Sequence, residues 1–174
     1  MHWMGLLCLP PKVWYNMTMK TFSAGDVLKA QDLNDNFAAV GGKVLQVVRA
    51  TDTTERTTTS TSYQDAGISV TITPQKSDSA ILVLSTFYFE AINFFISTEI
   101  TDSSNNALSG AEGTVFGPNS DIEFFGYGNV LGYATPATTS AVTYKLRFKT
   151  TSPNTAKIRN GLRTGQMFAI EVGA

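Results

Sequence analysis

From Lys43 to the end of this 174-residue chain the apolar residues recur with a period of two, not 3.6, and that alternation restricts the chain to a largely β architecture. Residues 43–49 (KVLQVVR) predict a first strand, and the Thr- and Ser-rich residues 51–64 predict an exposed, extended edge. Ile68, Val70 and Ile72 alternate with Ser69, Thr71 and Thr73 until Pro74 stops the strand. Residues 80–89 (AILVLSTFYF) are apolar on both faces, the pattern of a central strand covered on both sides. Phe94, Ile96 and Ile100 mark another strand, turned by residues 103–106. Residues 122–133 (IEFFGYGNVLGY) are laced with glycine, which predicts a bulge or tight corner. Val142, Tyr144, Leu146 and Phe148 alternate with polar residues, and Phe168, Ile170 and Val172 share one face of a closing strand. Eight or so strands without a second helix imply a β-sandwich or barrel over residues 43–174.

Residues 1–42 have a different character. Ala30, Leu33, Phe37, Val40 and Val44 recur at spacings of three, four, three and four, which puts one apolar seam on a helix from about Lys29 to Val40. Gly41-Gly42 ends it. So short a helix is marginal alone, so its seam must dock on its own sheet or on copies of itself. Lys29 occupies the expected N-cap position, where it cannot accept a hydrogen bond from the free amides, so the helix starts later or leans on Asp32. Ahead of it, Leu6-Leu7-Cys8-Leu9 is closed by Pro10-Pro11, which fits neither a secretory signal nor the ~20 apolar residues of a membrane span. Leu7 also argues against a lipoprotein cysteine at position 8. Two readings remain: translation starting at Met17 or Met19, or an extended apolar arm that anchors Trp3, Trp14 and Tyr15 in a groove on a partner.

Charge and chemistry narrow the function. A net charge of −1 disfavours wholesale binding of nucleic acid. With one Cys (Cys8) and one His (His2), neither an internal disulfide nor a Cys/His metal cage can form, and no cofactor is implied. Glu90, Glu99, Asp121 and Glu123 are the carboxylates from which a glycosidase pair could be drawn; solvated strand faces explain them more simply. Residues 77–144 hold seven acids and no Lys or Arg, whereas residues 145–163 hold Lys145, Arg147, Lys149, Lys157, Arg159 and Arg163 and no acid. Three readings are open: adjacent strands pair these charges, subunits do, or the basic face meets anionic bacterial polymer. Phe124, Phe125, Tyr127 and Tyr133 could stack on sugars, but core or axis packing is the simpler expectation.

The segment FSAGDVLKAQDLNDNF (residues 22–37) resembles an N-terminal motif of bacteriophage tail-fibre and other virion proteins, in which an aromatic-x-x-Gly-acidic-Val-Leu run leads into a short helix. The following stretch is similar to a β-domain of phage structural proteins. There a Gly-Lys-Val-Leu-Gln-Val-Val opening precedes Tyr-x-Asp-x-Gly (Tyr63, Asp65, Gly67), Thr-x-Thr-Pro and an Ile-Leu-Val strand. The resemblance covers about residues 20–90, with a weaker match in the closing MFAIEVGA. It implies a non-enzymatic homotrimer: a jelly-roll-like β-sandwich with a short N-terminal helix and an extended arm, on the tail or capsid exterior. Its partners would be other phage virion proteins and a host-surface glycan, without nucleic acid or membrane insertion. A short tail fibre or fibre tip is the expected role, with a capsid decoration trimer as the alternative and a polysaccharide-degrading tailspike as the rival of another class.

Overall fold

In the computed structural model the chain divides into two compact units, Met1–Gly42 and Lys43–Ala174. The structure describes residues 20–27, 29–32, 34, 44–93, 95–117, 122–152 and 154–173.

In the first unit, Ser23 and Asp26 close a turn around Gly25: the Asp26 amide donates to the Ser23 carbonyl, and the Ser23 amide donates to the Asp26 carboxylate at 2.8 Å. Residues 30–32 and 34 are helical, so the helix begins just after Lys29. Asp32 is paired with Lys20 at 2.5 Å. Leu33, Phe37 and Val40 of the expected seam, and Trp3, Trp14 and Tyr15 of the arm, lie outside the described residues; Ala30 is exposed.

Among the described residues of the second unit there are ten strands: β1 (Val44–Asp52), β2 (Glu55–Thr58), β3 (Gln64–Ile72), β4 (Ala80–Ile92), β5 (Ile96–Asp102), β6 (Thr114–Phe116), β7 (Glu123–Ala134), β8 (Val142–Thr150), β9 (Ala156–Arg159) and β10 (Gly165–Val172). They form two antiparallel sheets. The smaller runs β3-β8-β5-β6. In the larger, the 13-residue β4 pairs with β7 along one edge and with β10 and then β9 along the other; β1 lies beyond β10, and β2 beyond β9. The Thr-rich segment thus yields one short edge strand, β2.

Both sheets contribute to one apolar core. Alternation places Ile68, Val70 and Ile72 of β3 and Tyr144, Leu146 and Phe148 of β8 against Ile81, Val83, Phe87 and Phe89 of β4 and Met167 and Ala169 of β10. The expectation that β4 is covered on both sides needs correction. Its odd-numbered residues from Ile81 to Phe89 are buried, but Leu82, Leu84, Thr86 and Tyr88 on the opposite side remain partly exposed. Phe168, Ile170 and Val172 share that outward side.

The glycines of β7 do not make a bulge, because its register with β4 runs unbroken from Ile81↔Ala134 to Ile92↔Glu123. They make room for core side chains instead. A Cβ on Gly128 would lie 2.5 Å from the Phe87 ring, and one on Gly132 would lie 3.0 Å from Leu108. Phe87 in turn packs edge to face against Phe116, with ring centroids 5.8 Å apart. The register instead shifts at the start of β1, between Val44 and Gln46, and in β3, between Asp65 and Ser69. Gly67 adopts φ 76° there, its amide donates to Asp65 Oδ1 at 2.7 Å, and the Arg56 guanidinium occupies the space a side chain would need.

At one end of the core the fully buried Glu171 closes the fold. Its carboxylate accepts hydrogen bonds from Gln46 Nε2 (2.6 Å), Ser79 Oγ (2.7 Å) and the amides of Gln75 (2.8 Å) and Lys76 (3.2 Å). Burial pushes its pKa up, but the donors from Ser79, Gln46, Gln75 and Lys76 outweigh burial and bring it from 4.5 to about 2.

Two outcomes follow from this packing. Gly128→Val should destabilise the fold by about 1–3 kcal/mol through overpacking, and Phe87→Leu in the same chain should recover part of the loss, measured by urea denaturation. A carboxylate depressed in the folded state stabilises above its unfolded pKa and loses that contribution as pH falls. Glu171→Gln should therefore cost about 2–3 kcal/mol at neutral pH, and its deficit should shrink between pH 4.5 and about 2, followed by denaturation midpoints across that range.

Candidate interaction surface

The registers of β1, β10, β4 and β7 line up the outward side chains of the six-stranded sheet in rows. Val47, Ile170, Leu82 and Tyr133 form one row. Arg49, Phe168, Leu84 and Leu131 form the next, followed by Thr51, Gln166, Thr86 and Asn129 and then by Tyr88 opposite Tyr127. Exposure is high at Tyr127 (60%), Val47 (56%), Leu131 (53%), Tyr133 (49%) and Phe125 (41%). Arg49 is the one charged residue in these rows. Its Nε donates to Gln166 at 2.9 Å and its guanidinium lies 6.0 Å from the Phe168 ring centre. At the edge of the face a 270 Å³ groove is lined by Asp78, Ala80, Leu82, Tyr133, Val172 and Gly173.

The opposite end of the same face is charged and aromatic. Glu90, fully buried, pairs with Lys157 at 2.7 Å and with Arg159, and Arg159 also reaches Glu55 at 3.1 Å. Phe125 stands across from Glu90 and stacks with Tyr88 at a centroid distance of 6.4 Å. Arg159 lies over Phe125 and Arg163 over Tyr88.

The six expected basic residues do not form one face. Lys145, Arg147 and Lys149 lie on β8 of the four-stranded sheet, whereas Lys157 and Arg159 lie on β9 of the other, because the chain crosses between sheets after Thr150. Most are engaged within the chain. Lys145 Nζ donates to Asn105 Oδ1 at 2.7 Å, Arg147 pairs with Glu99 at 3.1 Å and donates to the Tyr63 carbonyl, and Lys149 sits 4.4 Å over the Tyr63 ring. Charge segregation along the sequence thus resolves into pairing between strands at Glu90 and Glu99. Those two carboxylates are buried, not on solvated faces, although Glu123 is exposed; Asp121 lies outside the described residues. Burial pushes the Glu99 pKa up, with Arg147 opposing it.

The aromatic expectation also needs correction. Phe124, Phe125, Tyr127 and Tyr133 are all substantially exposed, and the glycines between them face the core instead. Sequence reading missed Val47, Leu82, Leu84, Tyr88, Leu131, Phe168 and Ile170 as surface residues. The two-sided apolarity of residues 80–89 was the available signal.

A second cavity, of 370 Å³, is bordered by Asp102, Leu108, Pro136, Val142 and Tyr144. Burial, with a smaller push from Asp102, raises Tyr144 to about 12, so its phenol stays protonated at neutral pH. Asn106, chiefly through its side-chain amide, holds Asp102 below the usual carboxylate range. Among the described residues no group of three His, Cys, Asp or Glu is placed to hold a metal ion. Comparison with protein-family models gives no match, and comparison with curated proteins gives none.

Replacing Lys157 and Arg159 together by Met should leave the Glu90 carboxylate buried without a cation and cost about 3–5 kcal/mol. Adding Glu90→Leu should return much of that loss in the same denaturation measurement, since an apolar group at that position carries no charge to desolvate.

Proposed function

We propose that this chain is a structural component of a bacteriophage virion: a short trimeric tail fibre or fibre tip, anchored by its N-terminal segment and contacting the host surface. In this reading residues 43–174 are a jelly-roll-like β-sandwich head, and the Ala30, Leu33, Phe37 and Val40 seam helps to hold three chains together. The chain works by binding and assembly rather than by catalysis.

One observation carries the reading. A chain whose residues 20–90 resemble phage virion proteins also presents a sheet face whose rows from Val47 to Asn129 carry Arg49 as their one charge, a surface expected of a subunit more than of a solitary protein. The buried carboxylates fit as well, because Glu90 and Glu99 are held in ion pairs that support the sheets.

The test is incorporation. An antibody to the chain should label the tail of purified particles, and removing residues 1–18 should abolish labelling while the β-domain keeps its unfolding transition. Particles that never carry the chain would end the virion reading, and normal incorporation of the truncated chain would end the anchor.

A further inference from the structure

We propose that the outer face of the six-stranded sheet is where one copy of this chain binds another. The inference deepens the assembly reading above by assigning a surface to it. It concerns Val47, Leu82, Leu84, Leu131, Tyr133 and Phe168, with Tyr88 and Tyr127 at the far end.

Area is the first argument. A large side chain offers on the order of 150–250 Å², so the five exposed residues of the face leave about 500 Å² of mainly apolar surface in water. The partly exposed Leu82, Leu84, Tyr88, Phe168 and Ile170 bring this to roughly 700 Å², above what most monomers leave as one patch and close to the ~800 Å² per partner of a stable interface.

Composition is the second. Interfaces between identical subunits are more apolar than transient ones and exclude charge from their centre. In the three rows from Val47 to Asn129 the one charge is Arg49, already tied to Gln166 and Phe168, and the charges of Glu90, Lys157, Arg159 and Arg163 stand beyond them, at the Tyr88 end. An anionic membrane would require a basic face, which these rows lack, and a glycan would require hydrogen-bonding groups where Val47, Leu82, Leu84 and Leu131 stand. A second copy brings the same apolar rows, and a net charge of −1 per chain adds little repulsion. The groove beside Tyr133 and Val172 gives a protruding side chain of that copy a place to enter.

The experiment uses the full chain at micromolar concentration, with mass measured by sedimentation equilibrium. The wild type should weigh a multiple of 18.8 kDa. The double variant Leu131→Glu/Tyr133→Glu should fall to the single-chain mass, and Ser69→Glu, on the outer face of the other sheet, should keep the multiple. Because the double variant could misfold, a cysteine pair supplies an independent reading. In a Cys8→Ser background, Asn129→Cys should cross-link between copies with a short bis-maleimide, and Ser69→Cys should not. A wild type of single-chain mass, a double variant that keeps the multimer, or equal cross-linking at both cysteines would overturn the proposal. Self-association through this face by a chain absent from particles would sink the virion reading and leave this one standing. A particle-borne chain whose mass ignores Leu131→Glu/Tyr133→Glu would do the reverse.

Discussion

A carboxylate with no access to water holds the two ends of the β-domain together. Glu171 sits near the end of the last strand, and a buried charge of this kind is tolerated only where donors replace its lost hydration. Those donors come from three places: Gln46 on β1, the Gln75 and Lys76 amides after Pro74, and Ser79 before β4. Meeting them fixes β10 between β1 and β4 at one register. A slip of one residue would turn the charge outward and bring Ile170 or Val172 inward. Every row of the outer face inherits that register, so the surface proposed for assembly depends on a group buried on the other side of the same strand.

The elements that could be read from residue order are those whose two faces differ in chemistry. β3 and β8 alternate apolar and polar residues over most of their length, and both lie where period two puts them. Short strands carry too few residues to show a period. Thus β6 and the four residues AKIR of β9 went unseen, although β9 supplies the cations for Glu90. The glycines of β7 are ambiguous for a different reason. A glycine that yields space to Phe87 and one that permits a bulge look the same until the opposing strand is known.

The candidate surface was harder still to see. Val47, Leu82, Leu84, Leu131 and Phe168 are spread over more than a hundred positions and become neighbours only through cross-strand registers. Runs that are apolar on both sides suggest double coverage, yet nothing in such a run says whether the second cover is the same molecule. The Tyr63, Asp65 and Gly67 motif shows the converse. Tyr63 bonds Ser97 at 2.9 Å, Asp65 accepts the Gly67 amide, and Gly67 gives way to Arg56, so these recognisable residues hold the fold's own bulge in place.

The pairing of β1 with β10 sets a timetable for biosynthesis. The first strand of the domain finds its neighbour only when residues near 170 have left the ribosome, and Glu171 arrives with them. Until then β4 has one of its long edges open, and its oily stripe waits in a nascent chain. Such late closure leaves the unfinished domain exposed to wrong partners for almost the whole of its synthesis, and it ends only when the final strand is in place.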